Sequence, residues 1–186
     1  MKQISKTFVL FLLLVASACS ALAAPVDKQD LSKLREQIGV LESVINQGLT
    51  QSFPGPFGYL DRARGAYLPG YGLVFTFEVN LNPLPQANPF GPAAKPQTDT
   101  DRLAAIKKHR QSALELSQRV LADFSHTLEI NPDEWVAFIV HGSAVGPQGI
   151  EKSTLVIRAQ KRDIDQFRAN AIDRAAFLNR IAVVEY

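Results

Sequence analysis

Nine residues of alternating hydrophobicity, at positions 73–81, limit the fold of this chain more than any other segment. Leu, Phe and Val occupy the odd positions, whereas Val74 is the single apolar residue among the even ones. Successive side chains of a strand point to opposite faces, so this period of two predicts a β-strand with one strongly buried face. A Pro- and Gly-rich turn at 69–72 precedes it, and a short strand is expected at 61–68.

Two segments have the three- and four-residue spacing of apolar side chains that is typical of amphipathic helices. The first runs from Leu31 to Ile45, with Asp30 as the expected N-cap. Its stripe also resembles a short coiled-coil seam, but packing on a sheet is the favoured interpretation. The second helix is longer; it begins at Asp99 or Thr100 and is expected to end before Pro132.

The last third of the chain predicts strands and short helices. Residues 135–140 are continuously apolar and β-prone, which is typical of a central strand covered on both faces. Gly and Pro predict a loop at 143–152, and a strand at 154–159 then returns antiparallel. Two short helices and a final strand complete the expected elements, at 163–170, 173–180 and 181–186.

These elements together predict an α/β (α+β) fold, in which a long amphipathic helix and shorter helices pack on one mixed, largely antiparallel sheet. We expect a single globular domain at 24–186. Residues 82–98 contain five prolines. Because proline cannot donate a hydrogen bond to a sheet, a Pro-rich loop is expected at 82–98.

The first 23 residues have the pattern of a secretory signal peptide. Lys2 and Lys6 precede an apolar run at 8–16, and small residues at positions 21 and 23 favour cleavage after Ala23. The apolar run is far shorter than the roughly 20 residues that cross a bilayer. A periplasmic or secreted protein is therefore expected. The alternative is a lipoprotein anchored through Cys19, which is the only case in which membrane attachment is expected.

Composition excludes several functions once this segment is removed. The chain has 20 basic and 18 acidic residues. Loss of the two lysines of the signal peptide leaves equal numbers of basic and acidic residues, and so a net charge of zero. A neutral chain argues against nucleic-acid binding through overall charge. The only cysteine and the only methionine precede the expected cut. Disulfides, thiolate nucleophiles and metal–thiolate sites are thus excluded; the sequence predicts no cofactor and no metal site.

Catalytic motifs are weak. His141 follows the apolar strand and is the catalytic candidate, because histidine titrates near neutral pH. Ser143 lies in Gly-Ser-Ala-Val-Gly, which does not match the spacing of a hydrolase nucleophile elbow. A serine in the expected loop need not point back to His141. His109 and His126 are interpreted as surface residues, and Asp133 and Glu134 as a solvated turn.

The most unusual segment is the Gly- and Tyr-rich stretch at 65–72. Tyr67, Gly70, Tyr71 and Gly72 are the candidate ligand- or partner-binding residues, because tyrosine offers a stacking face and a hydroxyl, while glycine permits close approach. The same residues also fit a strained hairpin turn whose tyrosines pack on the core.

The sequence favours an exported, non-enzymatic domain that binds a partner protein or a small ligand. One alternative is a hydrolase or metal-assisted enzyme centred on His141. The other alternative is a structural subunit that self-associates through an amphipathic helix and so forms a homo-oligomer.

Overall fold

A five-stranded sheet with helices against it organises the structure. The computed structural model describes residues 28–55, 57–82, 97–146 and 149–186. The described residues from 33 onward form one compact unit. The expected signal peptide, Cys19 and most of the Pro-rich segment lie outside the described residues. The elements are α1 (Lys28–Ser52), β1 (Tyr59–Leu68), β2 (Gly72–Asn80), α2 (Asp99–Asp123), β3 (Trp135–Gly146), β4 (Gly149–Gln160), α3 (Lys161–Arg168), α4 (Arg174–Arg180) and β5 (Ala182–Glu185).

The strands lie in the order β1-β2-β3-β4-β5. β2 and β3 are parallel, and every other neighbouring pair is antiparallel. The parallel pair requires a crossover connection, and the chain between these strands contains α2. The predicted α+β fold, with one mixed and largely antiparallel sheet, is therefore confirmed.

The core lies between the helices and one face of the sheet, which we call the inner face. The odd positions of β2 are buried as the alternation predicts, and Phe75 stacks on Phe138 of β3 with ring centroids 5.5 Å apart. Ile157 of β4 and Ile164 of α3 are also fully buried in this cluster. Burial of these large apolar side chains stabilises the fold at roughly 25 cal/mol per Å² removed from water.

Glycines at two positions let the helices approach the inner face. A Cβ on Gly65 of β1 would lie 2.6 Å from both Ile38 of α1 and Phe75. A Cβ on Gly48 of α1 would lie 2.4 Å from Leu116 of α2. Both long helices therefore pack on the same side of the sheet and contact each other there.

Several predicted boundaries are corrected. α1 is longer than expected, so Asp30 lies within the helix rather than at its cap. α2 begins where expected, with Thr98 in a capping box, but ends at Asp123 and is followed by a short 3-10 turn at Ser125–Thr127. Within the expected loop at 143–152, β3 continues to Gly146 and β4 starts at Gly149.

For the part of the chain that is described, the prediction that the strand at 135–140 is covered on both faces is confirmed only in part. β3 is the middle strand, and Val136, Phe138 and Val140 are buried on the inner face. On the opposite face, which we call the outer face, Ala137 is buried, Trp135 and Ile139 keep partial exposure, and His141 is exposed. All the core packing by helices described above is on the inner face.

Candidate docking surface on the sheet

The outer face is built from alternate residues of all five strands. Side chains that are in register on neighbouring strands form rows that run across the sheet. The central row contains Ile139 of β3. That row continues through Thr76, Val156 and Val184, from β2 to β5. Three of these four side chains are apolar and β-branched, and Val184 is 39% exposed. From β2 to β5 this row is therefore partly exposed and mostly apolar, whereas on β1 it begins with the exposed Arg64, which pairs with Thr76.

The row of side chains next to the central row, on one side of it, is apolar except for one arginine. Val74, Ala137 and Ala182 are in register with Arg158 of β4. The Arg158 guanidinium lies 4.5 Å from the centroid of the Trp135 ring, in a cation–π contact. This contact holds the cation on the surface of the face while its aliphatic stem covers apolar neighbours.

The row on the other side is polar. Glu78, His141 and Thr154 are in register on β2, β3 and β4, and Asp61 of β1 pairs with Glu78. The Thr154 hydroxyl lies 3.4 Å from Nδ1 of His141. Glu78 and Asp61 thus lie across the central row from Arg158, while Lys152, in register with Ser143, adds a base on the side of Glu78.

Ser143 joins this polar cluster, contrary to its predicted place in a loop. Because β3 continues past it, Ser143 lies two residues after His141 on the same face of the strand. Its hydroxyl donates to Oε1 of Glu78 at 2.5 Å rather than to the imidazole. His141, for its part, is exposed and has Thr154 as its neighbour. The arrangement therefore lacks the serine-to-histidine hydrogen bond of an activated nucleophile.

The second set of candidate residues, in the turn between β1 and β2, lies at the opposite end of the strand. Gly70 and Gly72 have φ values of 78° and 123°, which favour glycine. A Cβ on Gly72 would lie 2.1 Å from the carbonyl oxygen of Trp135, so the backbones approach closely there. Tyr71 is half-buried, and its backbone accepts from Trp135 and donates to Leu68.

Tyr67 contacts Glu134 instead of facing solvent. Its hydroxyl donates to Oε1 of Glu134 at 2.8 Å, while Oε2 accepts from the Asn131 backbone. Burial, with the adjacent Glu134 carboxylate, raises the pKa of Tyr67. Glu134 is buried and hydrogen-bonded, so its interpretation as part of a solvated turn is wrong, whereas Asp133 is exposed. The contacts of Tyr67, Gly70 and Gly72 are those of a structural turn; a ligand there stays a prediction.

His109 also differs from its interpretation as a surface residue. It is half-buried, with Nδ1 at 3.0 Å from the carbonyl oxygens of Leu81 and Ala105, and its ring stacks on Phe53. It thereby links α2 to the end of β2 and to the end of α1. This histidine has a packing role. The charged residues beside it in the sequence had suggested an exposed position instead.

The β1 edge of the sheet is occupied by side chains of α1. Glu42 accepts from the Gly65 amide at 2.6 Å, and Asn46 accepts from the Ala63 amide at 2.9 Å. Exposed strand edges are templates for pairing with another chain. Because two of the β1 donors are already bound, the open face is a better candidate for docking than this edge.

Other classes of site receive no support from the described residues. They contain no cluster of three or more His, Cys, Asp or Glu side chains placed to hold a metal ion. Over the same residues, no helix combines the length and apolarity that a bilayer-spanning segment requires. Comparison with protein-family models, curated proteins and solved structures found no match. The described residues therefore establish the fold class, which is an α+β fold with helices packed on the inner face of the sheet.

Proposed function

We propose that this chain is an exported, non-enzymatic binding protein and that the outer face is its docking surface. The observation that carries the proposal is the partly exposed apolar row through Ile139 and Val156, with Arg158 on one side of it and the polar row of Glu78 and His141 on the other. An apolar centre with a polar rim is the usual anatomy of a protein interface. A face that spans five strands favours a protein partner over a small molecule, since small ligands bind in concave pockets.

The enzyme centred on His141 remains the alternative. A specific observation favours it: His141, Ser143 and Glu78 lie on one face within one polar cluster. Against it, the Ser143 hydroxyl is engaged by Glu78, and His141 is exposed to water. Enclosure strengthens catalytic electrostatics, so we rank this function second.

Site-specific photo-crosslinking tests the docking surface. A photoreactive residue placed at Val156 should form a covalent adduct with the partner in the producing cell, because Val156 lies in the apolar row. The matched control is the same residue at Lys107, an exposed position on α2, which should give no adduct. Absence of an adduct from Val156, or equal adducts from both positions, would contradict the proposal.

Specificity of that adduct is checked with a second change on the same face. Ile139→Lys places an ammonium in the apolar row one strand away, and burying it at an interface is unfavourable. The adduct from Val156 should therefore disappear in the Ile139→Lys background, while circular dichroism stays unchanged. Persistence of the adduct in a folded variant would show that the partner docks elsewhere.

Export is part of the proposal and is tested by the N-terminus of the protein recovered from cells. Mass spectrometry should find a chain that begins at Ala24. A diacylated chain that begins at Cys19 would instead support the lipoprotein. An intact Met1 in the cytosol would refute export by either route.

A further inference from the structure

We infer that the free edge of β5 pairs with the same edge of a second copy of this chain, so that two five-stranded sheets join into one continuous sheet. The contact is made by backbone groups of an edge strand and leaves the outer face open, so the inference goes beyond the proposed function. Addition of a strand to an exposed sheet edge is a recurrent mode of recognition. Dimers with two-fold symmetry are the commonest assemblies of soluble proteins.

Hydrogen bonds to β4 identify which backbone groups of β5 point outward. Thr154 and Tyr186 exchange two backbone hydrogen bonds, at 3.1 and 3.0 Å. Hydrogen-bonded pairs alternate in an antiparallel ladder, so every second residue from Tyr186 back to Ala182 also faces β4. The N–H and C=O groups of Val183 and Glu185 therefore point away from β4, at the end of the strand order.

The two edges of the sheet differ in how they are protected. On β1, Glu42 and Asn46 of α1 accept from backbone amides, and the register with β2 is shifted at two places. Covering groups and bulges are usual means of blocking an edge. On β5, no described residue forms a hydrogen bond to the outward groups, and the charge of Glu185 is neutralised by an ion pair with Arg110 of α2. The β5 edge is therefore the one that can accept a strand.

A single antiparallel register of two β5 edges satisfies both outward residues. With Val184 on the two-fold axis, Val183 of each protomer exchanges two hydrogen bonds with Glu185 of the other. An axis at Val183 or at Glu185 would pair that residue with itself and leave the other outward residue without a partner in β5. The edge is thus complementary to itself, as an isologous interface requires.

The same register covers the exposed apolar side chains of this edge. Val183, Val184 and Tyr186 are 44%, 39% and 79% exposed. Across the axis Val184 contacts its own copy, and the large Tyr186 lies opposite the small Ala182. Cross-strand pairs of β-branched and aromatic residues stabilise a sheet. Because Val156 and Val184 share the central row, that row continues across the axis from one outer face to the other.

Sedimentation equilibrium of the purified protein tests the inference. At high concentration the wild-type protein should have twice the protomer mass; β5 is four residues long, so the dimer should dissociate on dilution. Val183→Pro removes an outward N–H and leaves the hydrogen bonds to β4 in place, which an edge strand tolerates. It deletes two hydrogen bonds of the symmetric dimer, so self-association should weaken on the order of 100-fold.

Val183→Thr is the matched control. It keeps the N–H and a β-branched side chain, so it should remain dimeric. Circular dichroism of both variants in dilute solution should match that of the wild type. Wild-type protein of protomer mass at its highest soluble concentration would overturn the inference. A folded Val183→Pro variant that is as dimeric as the wild type would overturn it as well.

A thiol trap tests the register without removing a hydrogen bond. In a Cys19→Ser background, Val184→Cys carries the only thiol of the chain and lies opposite its own copy. The Cα atoms of such a non-hydrogen-bonded pair are about 4.5 Å apart, which a disulfide can span. Mild oxidation should link two protomers through Val184→Cys but not through Val183→Cys, which lies opposite Glu185. A dimer that is not linked at Val184→Cys, or that is linked equally at both positions, would refute the pairing.

The inference and the proposed function fail separately, because the Val156 adduct reports on the outer face and the mass reports on the β5 edge. An adduct with another protein, together with a protomer mass, supports the docking surface and refutes the second copy. A dimeric protein that gives no adduct supports the pairing and refutes the docking surface.

Discussion

Two neighbouring residues of β4 provide a test of which face of the sheet is covered. Ile157 is fully buried on the inner face, whereas Val156 is partly exposed on the outer face. Substitution of either by threonine keeps a β-branched side chain and so changes strand propensity little. Ile157→Thr removes about two buried apolar groups, at roughly 0.8 kcal/mol each, and buries a hydroxyl at a cost of about 1–3 kcal/mol. The expected loss is about 3–5 kcal/mol in the free energy of unfolding.

Val156→Thr should cost less than about 1 kcal/mol, because water reaches a hydroxyl at a partly exposed position. Urea unfolding followed by the fluorescence of Trp135, the only tryptophan, measures both variants. With a slope near 2 kcal/mol per molar urea, Ile157→Thr should lower the midpoint by roughly 1.5–2.5 M. Dilute protein keeps self-association from contributing. Equal midpoint shifts, or a larger one for Val156→Thr, would refute the one-sided sheet.

Three further changes test local features by urea unfolding. Gly72→Ala should cost several kcal/mol more than Gly70→Ala, because only at Gly72 would the Cβ collide with backbone, at 2.1 Å; equal costs would contradict this. The pKa of Tyr67 is raised by burial and by Glu134, so the unfolding free energy of the wild-type protein should fall as pH rises above about 10. Tyr67→Phe should remove that fall. An identical pH profile for both proteins would argue against the contact. Thr98→Ala removes a capping box and should cost about 1 kcal/mol, whereas no change in midpoint would show that the cap contributes nothing.

Sequence periodicity was sufficient for the elements and the fold class. The alternation at 73–81 identified the buried face of β2, and the helical spacing after Leu31 identified the stripe of α1, of which Leu34, Leu41 and Ile45 are buried. That stripe is used within the chain, against its own sheet. Local patterns of this kind are informative because each element must bury one face.

The outer face was missed because its signal is distributed over strands that lie far apart in sequence. Residues 135–140 are all apolar, which suggested cover on both faces. The polar positions that follow, His141 and Ser143, continue the outer face of the same strand, but Gly142 and Gly146 suggested a loop. Only the register of β3 with β2 brings Glu78 to His141 and Ser143. No local pattern contains that pairing.

The reactivity of a thiol at Val156→Cys, in a Cys19→Ser background, tests the outer face most directly. In dilute purified protein the thiol should react readily with a maleimide, because Val156 is partly exposed. In the producing cell, where the face is occupied, the rate should fall at least about tenfold, which corresponds to at least about 90% occupancy. A thiol that reacts equally fast in both settings would contradict the docking surface, and one that is protected even in dilute protein would contradict the open face.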